Sequence, residues 1–341
     1  MNSAAIAPGR PWLSWIFAGL CTALAIAVGA GAGYELWARQ RVVRDFPARG
    51  QMVDLGGRRI HIDCRGAGTP TVVFESGLDT NGSLSWSAIH DSVAQFTRAC
   101  AYDRAGIMWS DPSSGPRDAN AVAADLHQTL QAAQERGPYV MVGHSMGGPY
   151  IMTFTKRFGA NVLGLVFVDA SHPDQTKRMQ EAGVNDTEVP LNTRLQAALA
   201  WTGVPRLLLR TQDDPNDPKL IRQIGVHFQP TSLAALLREN AAVGDTLREA
   251  GAFRSLGDRP LAVLTALAPL SKATLDALHI TQEQGRRVSA IWLDLQNDEA
   301  TWSRQSTHQV FTDSTHYIQF GRPDAVIAAI HEVVNRTRGV Q

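Results

Sequence analysis

From Trp12 to Tyr34 the chain runs for 23 residues without a charged side chain, rich in Leu, Ala, Ile, Val and Gly. A helix needs about 20 apolar residues to cross the hydrocarbon core of a bilayer, so this segment reads as one membrane anchor. Trp12 and Trp15 stand at one end and Tyr34 and Trp37 at the other, where amphipathic rings suit the two water interfaces. A cleaved signal peptide is the alternative, with Ala30-Gly31-Ala32 as small residues for a peptidase, although the apolar stretch exceeds a usual signal core. Arg39, Arg41, Arg44 and Arg49 follow the run and only Arg10 precedes it, an asymmetry that counted alone keeps the C-terminal part in the cytoplasm.

Beyond the anchor, strand-like and helix-like segments alternate, the pattern of a mostly parallel sheet covered by helices. Met52–Leu55 and Arg59–Asp63 alternate apolar with polar residues around Gly56-Gly57 and predict an opening hairpin. Thr71–Phe74, Ala99–Tyr102, Tyr139–Val142 and Leu163–Val168 are short apolar runs, as strands buried on both faces should be. Val122, Leu126, Leu130 and Ala133 recur at helical spacing, with Asp118 or Asn120 to cap. Leu261–Leu264 and Gln309–Phe311 supply two late strands, and a closing helix follows Pro323 with Val326, Ile327, Ile330, Val333 and Val334 on one face. Pro173 to Pro260 breaks the rhythm: amphipathic patches such as Leu233, Leu236 and Leu237 are interrupted by prolines, and a turn-rich link covers Asp213 to Pro218. A structureless loop of that length is uncommon, so the stretch reads as a helical insertion.

A chain of 341 residues, 44% hydrophobic and 19% charged, buries a sizeable core, which excludes a disordered or fibrous chain. Its 32 basic and 32 acidic side chains cancel, so the broad positive field of a nucleic-acid binder is absent. Three cysteines, none in a Cys-x-x-Cys pair, exclude a disulfide-rich scaffold and a structural zinc site, and no metal is expected.

Candidate chemistry begins at Gly143-His144-Ser145-Met146-Gly147-Gly148, a G-x-S-x-G sequence after a buried strand and before a helix. A sharp turn there exposes Ser145 Oγ at the C-terminal edge of the sheet, and the helix that follows aims unpaired N–H groups at developing negative charge. A serine hydroxyl is a weak nucleophile near neutral pH and needs a base, itself oriented by a third group. Of the ten histidines, His316 lies between the last strand and the last helix, at the same end of the sheet as the turn. His144 adjoins the serine but should point away from it, and His308 falls at the far end of the last strand.

With these segments in view the chain, from about Met52 to the C-terminus, resembles the α/β-hydrolase family. Besides the serine turn, Glu75-Ser76-Gly77-Leu78, Tyr102-Asp103-Arg104-Ala105-Gly106 with Trp109-Ser110-Asp111, and Ser314-Thr315-His316-Tyr317 carry the likeness. The resemblance implies an α/β fold with an eight-stranded, mostly parallel sheet, helices on both faces and a helical lid between the sixth and seventh strands. The implied division is 1–46 for tail, anchor and linker, 47–172 for the first part of the core, 173–260 for the lid and 261–341 for the second part. It also makes the second and fourth strands neighbours, so that Cys64 and Cys100 form a bridge or stay as two reduced core cysteines; a bridge would mean an oxidising compartment and an extracytoplasmic catalytic domain.

The same resemblance makes His316 the base and supplies the oxyanion donors, the N–H groups of Met146 and Leu78, with Gly77 permitting close approach. The commonest family position for the acid falls in Thr265–Leu270, which holds no carboxylate. Some members carry it one strand earlier, which selects Asp169, with Asp174 and Asp294 in reserve. Asp103 and Arg104 are expected to be a structural pair or a turn-forming group. The implied chemistry is hydrolysis of a small hydrophobic carboxylic ester through an acyl-enzyme, with no cofactor, under an apolar roof that includes Trp201, Leu233, Leu236 and Leu237. A serine nucleophile sets the chain apart from the epoxide-hydrolase and haloalkane-dehalogenase branches. An acyltransferase with the same acyl-enzyme, or a non-catalytic membrane-tethered binding protein, would present many of the same features.

Overall fold

In the computed structural model, which describes residues 11–184, 189–208 and 218–339, the turn at Gly56-Gly57 joins β1 (Gln51–Asp54) to β2 (Arg59–Arg65) as an antiparallel pair. The apolar runs form β3 (Thr71–Glu75), β4 (Ala99–Tyr102), β5 (Tyr139–His144), β6 (Val162–Val168), β7 (Leu261–Ala266) and β8 (Ser306–Phe311). Their order is β1-β2-β4-β3-β5-β6-β7-β8, with β2 and β4 antiparallel and every later pairing parallel. β2 and β4 pair with Cys64 opposite Cys100, and the two sulfurs are bonded.

The helices are α1 (Pro11–Asp45), α2 (His90–Val93), α3 (Ala119–Ala132), α4 (Gly147–Phe158), α5 (Gln175–Glu181), α6 (Leu191–Leu199), α7 (Val204–Leu208), α8 (Val226–Ala241), α9 (Val243–Gly251), α10 (Lys272–Ala277), α11 (Gln282–Ala300), α12 (Ile318–Gly321) and α13 (Pro323–Thr337). Side chains alternate across the parallel strands, so each face has its own core. Val73, Met141, Leu165 and Phe167 meet Leu126, Leu130, Ile151 and Phe154 of α3 and α4. On the other face Phe74, Val140, Val142 and Val166 meet Trp86 and the Val326, Ile330 and Val333 stripe of α13. Asp118 caps α3 by accepting from the Ala121 N–H, and Pro323 opens α13 at a position where its missing N–H costs nothing.

Between β6 and β7 the chain is helical, α5 to α9, without a strand among its described residues. The turn-rich link expected at Asp213 to Pro218 falls, except for Pro218, outside the described residues. A second helical excursion, α10 and α11, separates β7 from β8. Its signal in the sequence is a capping box, in which Thr281 accepts from the Gln284 N–H and the Gln284 side chain accepts from the Thr281 N–H. In α1 the Trp12–Tyr34 stretch is exposed over most of its length, and Trp15, Phe17, Leu20, Leu24 and Ile26 face outward.

Candidate active site

Ser145 lies between the end of β5 and the start of α4 with φ of 52°, a left-handed conformation that costs a β-carbon-bearing residue about 1–3 kcal/mol. Tethers to β6 and to the loop after it hold the turn there. The Ser145 N–H donates to the Val168 carbonyl at 3.2 Å, and its own carbonyl accepts from the N–H groups of Gly148 and Ser171, both at 2.9 Å. A side chain at Gly147 would overlap the Glu75 carbonyl, which keeps the turn tight against the end of β3.

His316 is delivered by the loop after β8. Its Nδ1 is 2.6 Å from Oδ2 of Asp169, the first residue after β6. Asp169 is 3% exposed, and its other oxygen accepts from the Ala266 N–H at 2.9 Å and from Trp292 Nε1–H at 2.8 Å. Three donors on a buried carboxylate fix its orientation, and donation from His316 Nδ1 leaves Nε2 as the nitrogen with a free lone pair. His144 ties the histidine loop to the serine turn, because its Nε2–H donates to the His316 carbonyl at 2.9 Å and the two rings lie 4.6 Å apart. Burial, with the neighbouring His316 ring, holds the pKa of His144 well below the usual histidine value, so His144 is neutral near pH 7.

The remaining carboxylates and histidines considered from sequence are engaged elsewhere. Asp174 is held by both terminal nitrogens of Arg254, and Asp294 by Arg178. His308 Nε2 is 2.7 Å from the Thr265 hydroxyl, which reaches Gln296 and through it the Ala170 carbonyl.

Gly77 is pressed against the serine: a Cβ there would come within 2.9 Å of Ser145 Cβ. Leu78 packs in one cluster with Met146 and Tyr150. Among the described hydrogen bonds, neither the Leu78 nor the Met146 N–H donates to a protein acceptor. The loop carrying Gly77 is clamped by Arg104, which is 2% exposed. Its guanidinium donates to Glu75 at 2.8 Å, to the Ser76 carbonyl and hydroxyl at 2.8 and 2.9 Å, to the Gly77 carbonyl at 2.6 Å and to both oxygens of Glu239 on α8 at 2.9 and 2.8 Å. Tyr102 donates to the second Glu75 oxygen at 2.6 Å. Burial pushes the Glu75 carboxyl up while the Arg104 charge opposes the shift. Asp103 and Arg104 therefore do not pair with each other. Asp103 takes His61 Nδ1 and the Ser83 N–H, both at 2.7 Å.

A cavity of about 440 Å³ opens beside His316 and Asp169, with Met179, Val184, Leu267, Leu278, Val288 and Trp292 among its wall residues. The residues expected to form an apolar roof lie away from this cavity. Leu233, Leu236 and Leu237 do not line this cavity, and neither does Trp201, which is 54% exposed and borders a separate cavity between α1 and α8. The cavity wall comes from α5, α10, α11 and the loops after β7 and β8, while the Arg104–Glu239 pair holds α8 over the loops after β3 and β4. Sequence reasoning missed Trp292 and Glu239 here, whereas Arg104, expected to be structural, is structural but pairs with Glu75 and Glu239 rather than with Asp103. The spacing of Val288, Trp292 and Leu295 after a capping box was the available signal for the helix that carries Trp292, though not for its bond to Asp169.

The family model described as alpha/beta hydrolase family matches residues 25–329. Among solved structures, a thermophilic esterase from Thermogutta terrifontis superposes with a TM-score of 0.59 at 18% identity, covering 85% of this chain and 99% of that one. An epoxide hydrolase from Bacillus megaterium gives 0.56 at 15% identity over 84% and 100%. An uncharacterized protein of Schizosaccharomyces pombe is 43% identical over 74 residues, 22% of this chain and 14% of that protein. The chain covers less than half the length of each of the first curated relatives it matches.

Proposed function

The chain belongs to the α/β-hydrolase family, and from that premise we propose that it is a membrane-anchored serine hydrolase cleaving a hydrophobic carboxylic ester through an acyl-enzyme. His316 Nε2 takes the proton of Ser145 as Oγ attacks the ester carbonyl, and the Leu78 and Met146 N–H groups hold the oxyanion. Asp169 keeps the imidazole in the required tautomer and stabilises its charged form. The protonated imidazole then gives its proton to the leaving alcohol, and water, deprotonated by the same nitrogen, releases the acid. The apolar cavity beside His316 suits one hydrocarbon arm of the ester.

One observation carries the reading. A buried carboxylate with two further donors fixes an otherwise half-exposed imidazole, on a loop hydrogen-bonded to the neighbour of a serine in a strained turn. Such an arrangement is costly to assemble and serves general-base catalysis. Retention of α1 as an anchor is supported by its continuity through Asp45 and by the bonds that Glu35 accepts from Arg206 at 2.7 and 3.0 Å. The Cys64–Cys100 bond supports an extracytoplasmic catalytic domain, against the arginine asymmetry.

The test is turnover of p-nitrophenyl esters of increasing chain length by the full-length protein and by Ser145→Ala. Wild type should release p-nitrophenol with a preference for the longer acyl chains, and Ser145→Ala should lose kcat by roughly five to six orders of magnitude. Equal turnover by the two proteins would remove Ser145 as nucleophile.

A further inference from the structure

The insertion is fastened to α1 at a defined height. Glu35 of α1 is 1% exposed and accepts from Arg206 of α7 and from Arg39. One turn earlier the backbones touch: a methyl group at Gly31 would overlap the Thr202 carbonyl oxygen, and one at Gly203 would approach the Gly31 carbonyl to 2.7 Å and the Tyr34 ring to 3.1 Å. The contact thus covers residues 31–35, where the uncharged run ends, and does not lie wholly beyond it. At 1.5 Å rise per residue, Gly31 is about 4.5 Å deeper along the helix than Tyr34.

Around that contact the insertion turns apolar side chains outward. Leu191, Leu195 and Leu199, at i, i+4 and i+8 on α6, are 71%, 51% and 44% exposed, and Trp201, Val204, Leu207 and Leu208 beside them are 54%, 45%, 67% and 74% exposed. Scattered exposed leucines need no explanation, but seven exposed large apolar side chains between positions 191 and 208 do.

We propose that this face of α6 and α7 is a membrane-docking surface, seated at the headgroup–acyl boundary of the bilayer that α1 crosses. The occupant follows from the attachment. An exposed 23-residue apolar run requires lipid around it, and the Glu35–Arg206 and Gly31–Thr202 contacts hold α6 and α7 level with the end of that run. The backbone contact reaches about 4.5 Å below the end of the run, just short of the roughly 5–10 Å at which interfacial helices bury their apolar side, a depth the outward side chains can add to. Trp201 has the amphipathic ring favoured at that boundary. The lid segment then faces lipid, so an ester dissolved in the bilayer is the substrate class the protein meets at highest concentration.

This rests on the anchor reading above, and depth measurement separates the two. In a Cys21→Ser background, Leu20→Cys, Leu195→Cys, Leu207→Cys and Asp324→Cys are each labelled with an environment-sensitive fluorophore. The full-length proteins are reconstituted into phosphatidylcholine–phosphatidylglycerol vesicles with and without spin-labelled lipid. The proposal expects loss of emission with quencher lipid at 20, 195 and 207 and none at 324. Quenching at 20 but not at 195 or 207 overturns the docking surface and leaves the anchor standing. Absence of quenching at 20 removes both. Proximity between labels at 195 on two chains, without lipid quenching, would assign the face to a second copy and overturn the proposal equally.

Discussion

Asp169 accepts from His316, Trp292 and the Ala266 amide, which leaves its carboxylate little freedom and predicts a sharp asymmetry between two aspartates on neighbouring elements. Asp169→Asn should lower kcat by about 10⁴, through loss of the correct histidine tautomer, with little change in KM. Asp294→Asn removes only a surface partner of Arg178 and should stay within about twofold of wild type. Side-by-side kinetics decide the assignment, and near-normal turnover in Asp169→Asn would refute it. His144 makes a prediction about pH. Its folded pKa lies well below the unfolded value because burial disfavours the charged ring. The unfolded chain therefore binds the extra proton first, and stability falls as pH drops below about 6.5 towards the depressed folded value. His144→Gln, which keeps a donor for the His316 carbonyl without titrating, should flatten the decline in urea midpoint between about pH 7.5 and 5.5. An unchanged slope would show that His144 is not its source.

Elements meet at the Arg104 clamp, where the loop after β3, the loop after β4 and α8 share one buried cation. Arg104→Met would leave Glu75 and Glu239 without their main partner, and removing one member of such a buried network costs about 3–5 kcal/mol. Urea unfolding should show that loss. Glu239→Gln, which keeps a polar partner on α8, should cost less and affect turnover through the Gly77 loop. A stability change under about 1 kcal/mol for Arg104→Met would contradict the clamp. The clamp also marks a boundary of sequence reading. The strands, the order of elements and the α13 stripe are legible because alternation and helical spacing report directly on which faces are buried. Ser145 and His316 are legible because their loops follow strands whose ends share one edge. Trp292 and Glu239 are not, since each acts across more than 100 residues of chain through a hydrogen bond that no local pattern encodes. The surroundings of Trp201 were not legible for a related reason: it shares a cavity with Arg39, Val42 and Val43 of α1, a segment more than 150 residues earlier.

For the molecule as a whole, Gly77, Ser145, Asp169 and His316 are gathered to the C-terminal edge of the parallel strands of one mixed sheet, at the ends of strands that lie next to one another or nearly so in the order. The sheet supplies a rigid frame, two helical excursions cover its C-terminal edge, and α1 is fastened to the first excursion through Glu35 and Arg206. All of this serves a single chemical premise, that Ser145 is rendered nucleophilic by His316. The most direct test is labelling of the intact full-length protein with a fluorophosphonate, which reacts covalently with an activated serine and barely with an ordinary hydroxyl. Wild type should be labelled at Ser145, located by peptide mass analysis, with Ser145→Ala unlabelled and His316→Ala labelled far more slowly. Folded wild-type protein that takes up no label, or takes it up equally well without His316, would contradict the account.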